Sequence, residues 1–149
     1  MDNLSCTMII FGGTGDLTKR KLIPAIHQLE KEKHLPKEFR VIGIGRRDLS
    51  QEEYNAMLYK GIKDYTNIET NQKLWNEVSE KIYYLKMDFT KFSDYKKLYE
   101  YLLEDSKKKE ISSNLMFYLA VSPEYFGAIV NNLNENNIID ENNQWNRMV

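Results

Sequence analysis

Cysteine is almost absent from this 149-residue sequence, and Cys6 is its only example. One cysteine cannot form an intramolecular disulfide and gives no basis for a zinc site, so we expect no bound metal and a reducing, cytoplasmic location. A long apolar run is also lacking. The N-terminal stretch "MDNLSCTMIIF" is too short for a membrane span and carries an acid, so we expect neither a span nor a signal peptide.

An excess of charge of either sign is missing too. The sequence has 21 basic and 22 acidic residues, which gives a formal net charge of −1. This balance provides no general attraction to nucleic acid or to an anionic membrane, so we expect neither as a partner, and any anion must be bound locally. A length of 149 residues suits a single domain.

What the sequence does contain is an alternation of short apolar runs with amphipathic segments. The segments predict helices, including one opened by a capping box at Ser50 and Glu53 and a short one around Trp75. The apolar runs predict five strands, at residues 7–11, 39–44, 82–87, 114–121 and 146–149. This order predicts an α/β fold, a Rossmann-like, doubly wound parallel sheet in three layers.

The first helix carries several side-chain expectations. Pro24 lies inside the helical pattern and predicts a kink or a restart of the helix. Both histidines, His27 and His34, belong to this region and are expected to be solvated. The apolar side chains recur at helical spacing, which predicts a core-facing stripe of Leu22, Ile26 and Leu29.

Three glycines separate the first strand from the first helix in "FGGTGDLT". Glycines at such a turn let the backbone approach a pyrophosphate, and the free N–H groups of the following helix bind the anion. The spacing is not a strict G-x-G-x-x-G, because Thr18 holds the third glycine position counted from Gly13, and no P-loop Gly-Lys-Ser/Thr follows. A tight turn without a ligand is the alternative, but the position between strand and helix favours phosphate binding.

Two further strand ends carry charged residues at the predicted ligand edge. The second strand ends in Gly45-Arg46-Arg47. An acid there would repel the 2′-phosphate of NADP, whereas an arginine can bind it with paired N–H donors, so Arg46 favours NADP over NAD, with Thr14 as a second donor. A surface arginine pair is the alternative. Asp88 ends the third strand and either contacts the adenine side of the coenzyme or caps the helix that follows.

The stretch "FGGTGDLTKRKLIPAIHQL" closely resembles the coenzyme-domain signature of glucose-6-phosphate dehydrogenases, G-A-S-G-D-L-A-x-(K/R)-K-L-x-P. The similarity continues through "LPKEFRVIGIGRRDLS", "MDF" and "FYLAVSPEYFGAIVNNL" and spans essentially the whole chain in order. Gly13 stands where this family usually has alanine, and Ser122 where it often has a proline. Members oxidise glucose 6-phosphate to 6-phosphogluconolactone in the oxidative pentose phosphate pathway, with hydride transfer to NADP.

Carried over by position, the resemblance implies a cofactor site but no catalytic residue in this chain. The turn would hold the pyrophosphate, Arg46 the 2′-phosphate, and "FYLAVSP" would line the nicotinamide side. The implied NADP-binding residues are Gly12, Gly13, Thr14, Gly15, Asp16, Leu17, Thr18, Lys19, Arg46, Met87 and Asp88.

The resemblance also implies that residues 1–149 are an NADP-binding Rossmann domain truncated before the substrate domain. The family's lysine motif E-K-P-F/L-G, and the later R-I-D-H-Y-L-G-K with the sugar-phosphate ligands and the catalytic histidine, do not occur here. We therefore expect this chain alone to be inactive. Glucose 6-phosphate would be the substrate of the full-length enzyme, and homo-oligomers would form through the missing domain.

Two other functions share part of this pattern. A short-chain reductase would need a Tyr-x-x-x-Lys pair, and neither Tyr54 with Lys60 nor the run at residues 95–99 has that spacing. A non-catalytic, NADP-sensing module on the same fold is the other alternative. The residues of this chain do not distinguish such a module from the coenzyme domain of a dehydrogenase, because both would bind NADP without catalysing a reaction.

Overall fold

The computed structural model describes residues 5–36, 38–109, 114–139 and 146–149. Its sheet contains five strands, β1 (Cys6–Phe11), β2 (Phe39–Gly45), β3 (Ile82–Lys86), β4 (Leu115–Leu119) and β5 (Asn146–Met148). All neighbouring strands are parallel, and the order across the sheet is β3-β2-β1-β4-β5. Because the chain winds outward from β1 in both directions, the prediction of a doubly wound, Rossmann-like sheet is confirmed.

Helices cover both faces of this sheet: α1 (Ile23–Lys31), α2 (Gln51–Tyr65), α3 (Gln72–Ser79), α4 (Tyr95–Lys109) and α5 (Phe126–Glu135). Helices α1 to α3 enclose one core, which includes Met8 and Ile10 of β1. Helices α4 and α5 enclose the other, which includes Ile9 and Phe11 of the same strand. Successive strand side chains point to opposite faces, so a strand covered on both faces must be apolar throughout. The three predicted layers are therefore present.

The carboxyl ends of four strands lie side by side. Phe11 pairs with Ile44 of β2 and Leu119 of β4, and Ile44 pairs with Leu85 of β3. The segments that follow these strands meet at one edge of the sheet, where open α/β sheets bind their ligands. Every predicted cofactor residue lies on one of these segments.

The first helix restarts, as Pro24 predicted. A single π-helical segment, Thr18–Leu22, precedes α1, and Pro24 lies in the first turn of α1, where its missing N–H costs no helical hydrogen bond. The stripe predicted across this break is partly wrong, since Leu29 is 39% exposed. A π turn has a longer repeat than an α turn and shifts the phase of the side chains that follow it. The buried face of α1 consists of Ile23, Pro24, Ile26 and His27.

The prediction that His27 is solvated is wrong, whereas His34 is exposed as expected. The phase shift turns the His27 ring into the interior, where Nε2 lies 2.7 Å from the hydroxyl oxygen of Thr70. Its Nδ1 has no hydrogen-bond partner within the described part of the chain. Burial, and then the nearby charge of Lys31, hold the pKa of His27 below its ordinary value, which favours the neutral ring in the folded chain.

This depressed pKa predicts acid-dependent stability. The unfolded chain takes up a proton on His27 as the pH falls below about 6.5, whereas the folded chain does not until its lower pKa is reached. The free energy of unfolding should therefore fall across this window, which lies above the ordinary carboxylate range. Urea unfolding at a series of pH values should show this slope in the wild type and in His34→Gln, and a reduced slope in His27→Gln. Retention of the full slope in His27→Gln would contradict the assignment.

Of the capping residues expected at two other helix starts, one makes its capping hydrogen bond and one does not. The capping box at Ser50 and Glu53 is present in both directions at the start of α2. Ser122 occupies the cap position of a short 3-10 turn before α5, but its side chain makes no capping hydrogen bond. The apolar residues of α5 recur at helical spacing, but Phe126 and Val130 are more than one-third exposed, so its buried face consists of Ile129 and Leu133.

Candidate dinucleotide-binding site

The glycine turn after β1 is tied to the end of β2. The N–H groups of Gly12 and Gly13 both donate to the Ile44 carbonyl oxygen, at 3.2 and 2.8 Å. The Gly15 N–H donates back to the Gly12 carbonyl at 3.0 Å. These three donors are used inside the protein, so the first part of the turn is a rigid support and not the anion-binding surface.

Gly12 has a backbone conformation that few other residues adopt. Its φ is +91°, in the region that favours glycine. A Cβ on Gly12 would overlap the carbonyl oxygen of Ala120 and lie 3.1 Å from Cγ1 of Val121. The turn after β1 therefore packs directly on the segment after β4, and any side chain at this position would separate them.

Thr18 closes the turn from the helical side. The residue is fully buried, and its hydroxyl donates to the Gly12 carbonyl at 2.8 Å. The threonine in the third glycine position therefore has a structural role, and its side chain is not available to a ligand. Of the predicted cofactor residues in the turn, Thr18 can act only through its backbone.

The donors that remain face outward. The Thr14 N–H has no backbone acceptor within the described residues, and the N–H groups of Asp16 and Leu17 lie in the first helical turn, where no intrahelical acceptor exists. Such a set of N–H groups at a helix N-terminus binds anions. Asp16 and Lys19 form an ion pair at 3.8 Å on the same surface, with the Asp16 side chain 75% exposed.

The loop after β2 lies against this turn. The side chain of Thr14 covers Gly45, since a Cβ on Gly45 would lie 3.3 Å from the Thr14 hydroxyl oxygen. Arg46 follows Gly45 directly and is exposed. The neighbouring Arg47 contacts another side chain of the protein, since its guanidinium lies 3.6 Å from the sulfur of Met57. The structure thus brings together Thr14 and the position of Arg46.

The segment after β3 contributes a carboxylate. Asp88 accepts hydrogen bonds from the backbone and hydroxyl of Thr90, at 2.9 and 2.6 Å. These bonds come first among the causes that hold the pKa of Asp88 below its usual value, followed by the charges of Arg46 and Lys91. Asp88 therefore caps its own turn, and the cap position of the short 3-10 helix that follows is held by Lys91, whose side chain makes no capping hydrogen bond. Met87 is 1% exposed, so its side chain lies in the core, and its backbone N–H donates to the Gly45 carbonyl at 2.9 Å.

No cation site or membrane span is found within the described ranges. No group of three or more His, Cys, Asp or Glu side chains there is placed to hold a metal ion. Among the helices of those same ranges, none combines the length and apolarity that crossing a membrane requires. The features at the carboxyl edge are those of an anion-binding surface.

Comparison with known proteins identifies the family. A sequence model described as "Glucose-6-phosphate dehydrogenase, NAD binding domain" matches residues 9–149. The chain belongs to this family. The glucose-6-phosphate 1-dehydrogenase of Chlamydia pneumoniae is 32% identical over 148 residues, which is 97% of this chain and 29% of that protein. The enzyme of Bacillus subtilis is 34% identical over 142 residues, which is 95% of this chain and 28% of that protein.

Solved structures of the dehydrogenase family share the fold. A glucose-6-phosphate dehydrogenase in complex with its substrate glucose-6-phosphate matches with a TM-score of 0.84 and 26% identity, over 98% of this chain and 30% of that chain. The enzyme from Mycobacterium avium matches with a TM-score of 0.78 and 25% identity, over 97% of this chain and 29% of that chain. The chain thus spans less than one-third of the length of the dehydrogenases it matches.

Sequence reasoning missed a tyrosine beneath the turn of this dehydrogenase domain. Tyr54 of α2 is fully buried, and its hydroxyl donates to the Gly13 carbonyl at 2.8 Å. Only glycine at position 43 leaves room for it, because a Cβ there would overlap that hydroxyl oxygen. A glycine inside an apolar strand signals close approach of another group, so Gly43 was the available clue. Its partner lies 11 residues away on another element and has no local signature.

The same packing explains the departure at Gly13. A Cβ on Gly13 would lie 2.8 Å from both the Gly43 Cα and the Ile44 nitrogen. The turn therefore approaches β2 more closely than the alanine that is usual in the dehydrogenase family would allow. Glycine at position 13 permits this close packing.

Proposed function

We propose that this chain is the NADP-binding domain of a glucose-6-phosphate dehydrogenase. The observation that carries the choice of NADP is the arrangement at the end of β2, where the exposed Arg46 directly follows Gly45, the residue that Thr14 of the glycine turn covers. No acid stands at the strand end, and the next carboxylate along the loop, Asp48, lies 3.7 Å from the ammonium group of Lys86. A guanidinium beside a hydroxyl suits a phosphate monoester, which NADP has and NAD lacks.

The residues present fit this coenzyme. The outward N–H groups of Thr14, Asp16 and Leu17 would bind the pyrophosphate, over a turn whose glycines leave no side chain in the way. Arg46 and Thr14 would bind the 2′-phosphate. Lys19 would add positive charge near the pyrophosphate. The backbone at Met87 and Asp88 would contact the adenosine side.

In the proposed reaction this domain binds and orients the coenzyme. Residues outside these 149 complete the catalytic machinery. NADP, when bound, supplies the hydride acceptor for the C1 hydrogen of glucose 6-phosphate. The segment after β4 packs on Gly12 through Ala120 and Val121 and would line the nicotinamide side of the cleft. The general base that takes the C1 hydroxyl proton would come from the rest of the enzyme, because His27 is buried on the inner face of α1 and the exposed His34 follows the C-terminal end of that helix.

The properties of the whole enzyme follow from the same proposal. Glucose 6-phosphate would be its substrate in the oxidative pentose phosphate pathway, and its homo-oligomer contacts would lie outside this domain. A cytoplasmic location suits the single, buried thiol of Cys6, since burial raises the pKa of this group to about 11 and keeps it unreactive.

The proposal predicts binding without turnover. The purified 149-residue chain should bind NADP in calorimetric titration but should not reduce it when glucose 6-phosphate is added. The reason is that the lysine and histidine motifs of the family are not among these residues. NADPH formation followed at 340 nm, with a mock purification to control for host dehydrogenase, is the measurement. Failure to bind either dinucleotide would contradict the proposed function, and host-independent turnover would refute the predicted inactivity.

A further inference from the structure

Two tyrosines outside the predicted set of cofactor residues, Tyr54 and Tyr84, pack against each other beside the candidate site. The rings of Tyr54 and Tyr84 lie 4.5 Å apart, centroid to centroid. The Tyr54 hydroxyl donates to the Gly13 carbonyl of the glycine turn at 2.8 Å. The Tyr84 hydroxyl donates to the Arg47 carbonyl of the loop after β2 at 2.6 Å. One aromatic pair therefore holds both segments of the candidate site through their backbone.

The bond from Tyr54 controls the direction of an N–H group. In a planar trans peptide the carbonyl of Gly13 and the N–H of Thr14 point in opposite directions. Tyr54 draws the Gly13 carbonyl inward, toward the core of α1 to α3, so the Thr14 N–H points outward. That N–H is one of the donors left for the pyrophosphate, because Gly12, Gly13 and Gly15 use theirs internally.

The bond from Tyr84 controls a different segment. Its acceptor is the Arg47 carbonyl, one residue beyond Arg46. Tyr84 is itself fixed, because its backbone N–H donates to the side chain of Gln51 at 3.0 Å. The loop that carries the Arg46 guanidinium is thus held at the residue next to it, while the glycine turn is held separately through Tyr54.

We propose that Tyr54 and Tyr84 are positioning residues for the coenzyme with separable effects. Tyr54 orients the pyrophosphate donors, which serve NADP and NAD alike. Tyr84 orients the 2′-phosphate loop, which serves NADP alone. This inference rests on the proposed function, since it assigns parts of the same site.

The test is calorimetric titration of the 149-residue chain with three probes: NADP, NAD, and adenosine 2′-monophosphate, which has the 2′-phosphate but no pyrophosphate. Tyr54→Phe removes one hydrogen bond and should weaken NADP and NAD by a similar factor, roughly three- to tenfold, with the monophosphate little changed. Tyr84→Phe should weaken NADP and the monophosphate, roughly threefold or more, with NAD little changed. Both changes keep the ring stack.

Tyr59→Phe is the control, since this tyrosine lies on the same helix as Tyr54 but stacks on Trp75 of α3. The affinities for all three probes should be unchanged in this variant. A loss of folded protein in either variant would lower the apparent affinities for all three probes by the same factor. A uniform decrease in affinity, or no decrease, would therefore overturn the positioning roles. If the wild type binds none of the probes, the proposed function fails and takes this inference with it. If the wild type binds and the two variants do not separate the probes, only the inference fails.

Discussion

Replacing Gly12 with alanine should destabilise this domain strongly and abolish measurable coenzyme binding. A residue with a Cβ is strained at a φ of +91°, at a cost of roughly 1–2 kcal/mol, and overpacking against backbone adds about 1–3 kcal/mol. The backbone contact is with the carbonyl of Ala120, which is held by the sheet and cannot move aside cheaply. The melting temperature should fall by roughly 10 °C.

Binding should be lost because the rest of the turn depends on Gly12. Its carbonyl accepts the hydrogen bonds of both the Gly15 N–H and the Thr18 hydroxyl. A displaced Gly12 would therefore misplace the helix start that carries the outward donors. Melting followed by circular dichroism, with NADP titration at low temperature, measures both effects.

Gly127→Ala provides a matched control for the Gly12 substitution. Gly127 lies in α5, where a Cβ would have no heavy atom within 4 Å, so alanine should be neutral or slightly stabilising through its better helix propensity. An unchanged melting temperature in Gly12→Ala would show that the turn can relax and that its close packing on Ala120 does not stabilise the domain.

The layers and the place of the site were predictable because they follow from short-range patterns. The segments that form β1 and β2 are mostly apolar, which is typical of strands covered on both faces, and every residue in them is buried. The glycine turn follows the first of these strands. Parallel alternation then brings the ends of β1, β2 and β3 to one edge. The strand order β3-β2-β1-β4-β5 was not predicted, because the handedness and length of the connections reduce the possible orders without selecting one.

The side-chain errors share a cause at longer range. The phase of α1 depends on a π turn that no local pattern encodes, so Leu29 was assigned inward and His27 outward, and both assignments were wrong. The contact of Tyr54 with Gly13 joins residues 41 positions apart. A helical pattern indicates that Tyr54 faces the core but not which backbone group its hydroxyl meets. Such contacts depend on how helices and strands pack together. The only sign of this one in the sequence is Gly43, a glycine inside an apolar strand.

Arg46→Ala should weaken NADP binding about tenfold or more and leave NAD binding nearly unchanged. Charged hydrogen bonds to phosphate are each worth roughly 1.5–3 kcal/mol, and an exposed residue such as Arg46 should deliver the lower part of that range, which is about a factor of ten. Only NADP carries the 2′-phosphate, so the discrimination between the two coenzymes should collapse. Calorimetric titration of both nucleotides is the measurement.

Three comparisons sharpen the test of Arg46. The contrast between the coenzymes should shrink as salt rises, because an exposed charge pair is screened. Arg47→Ala should cost less than Arg46→Ala, because the Arg47 guanidinium is engaged with Met57, and the double substitution should cost more than either single one. Lys73→Ala, which removes one exposed positive charge from α3, should leave both affinities unchanged. If Arg46→Ala lowers both affinities by the same factor, Arg46 is structural or contacts only the adenosine common to both, and the choice of NADP loses its basis.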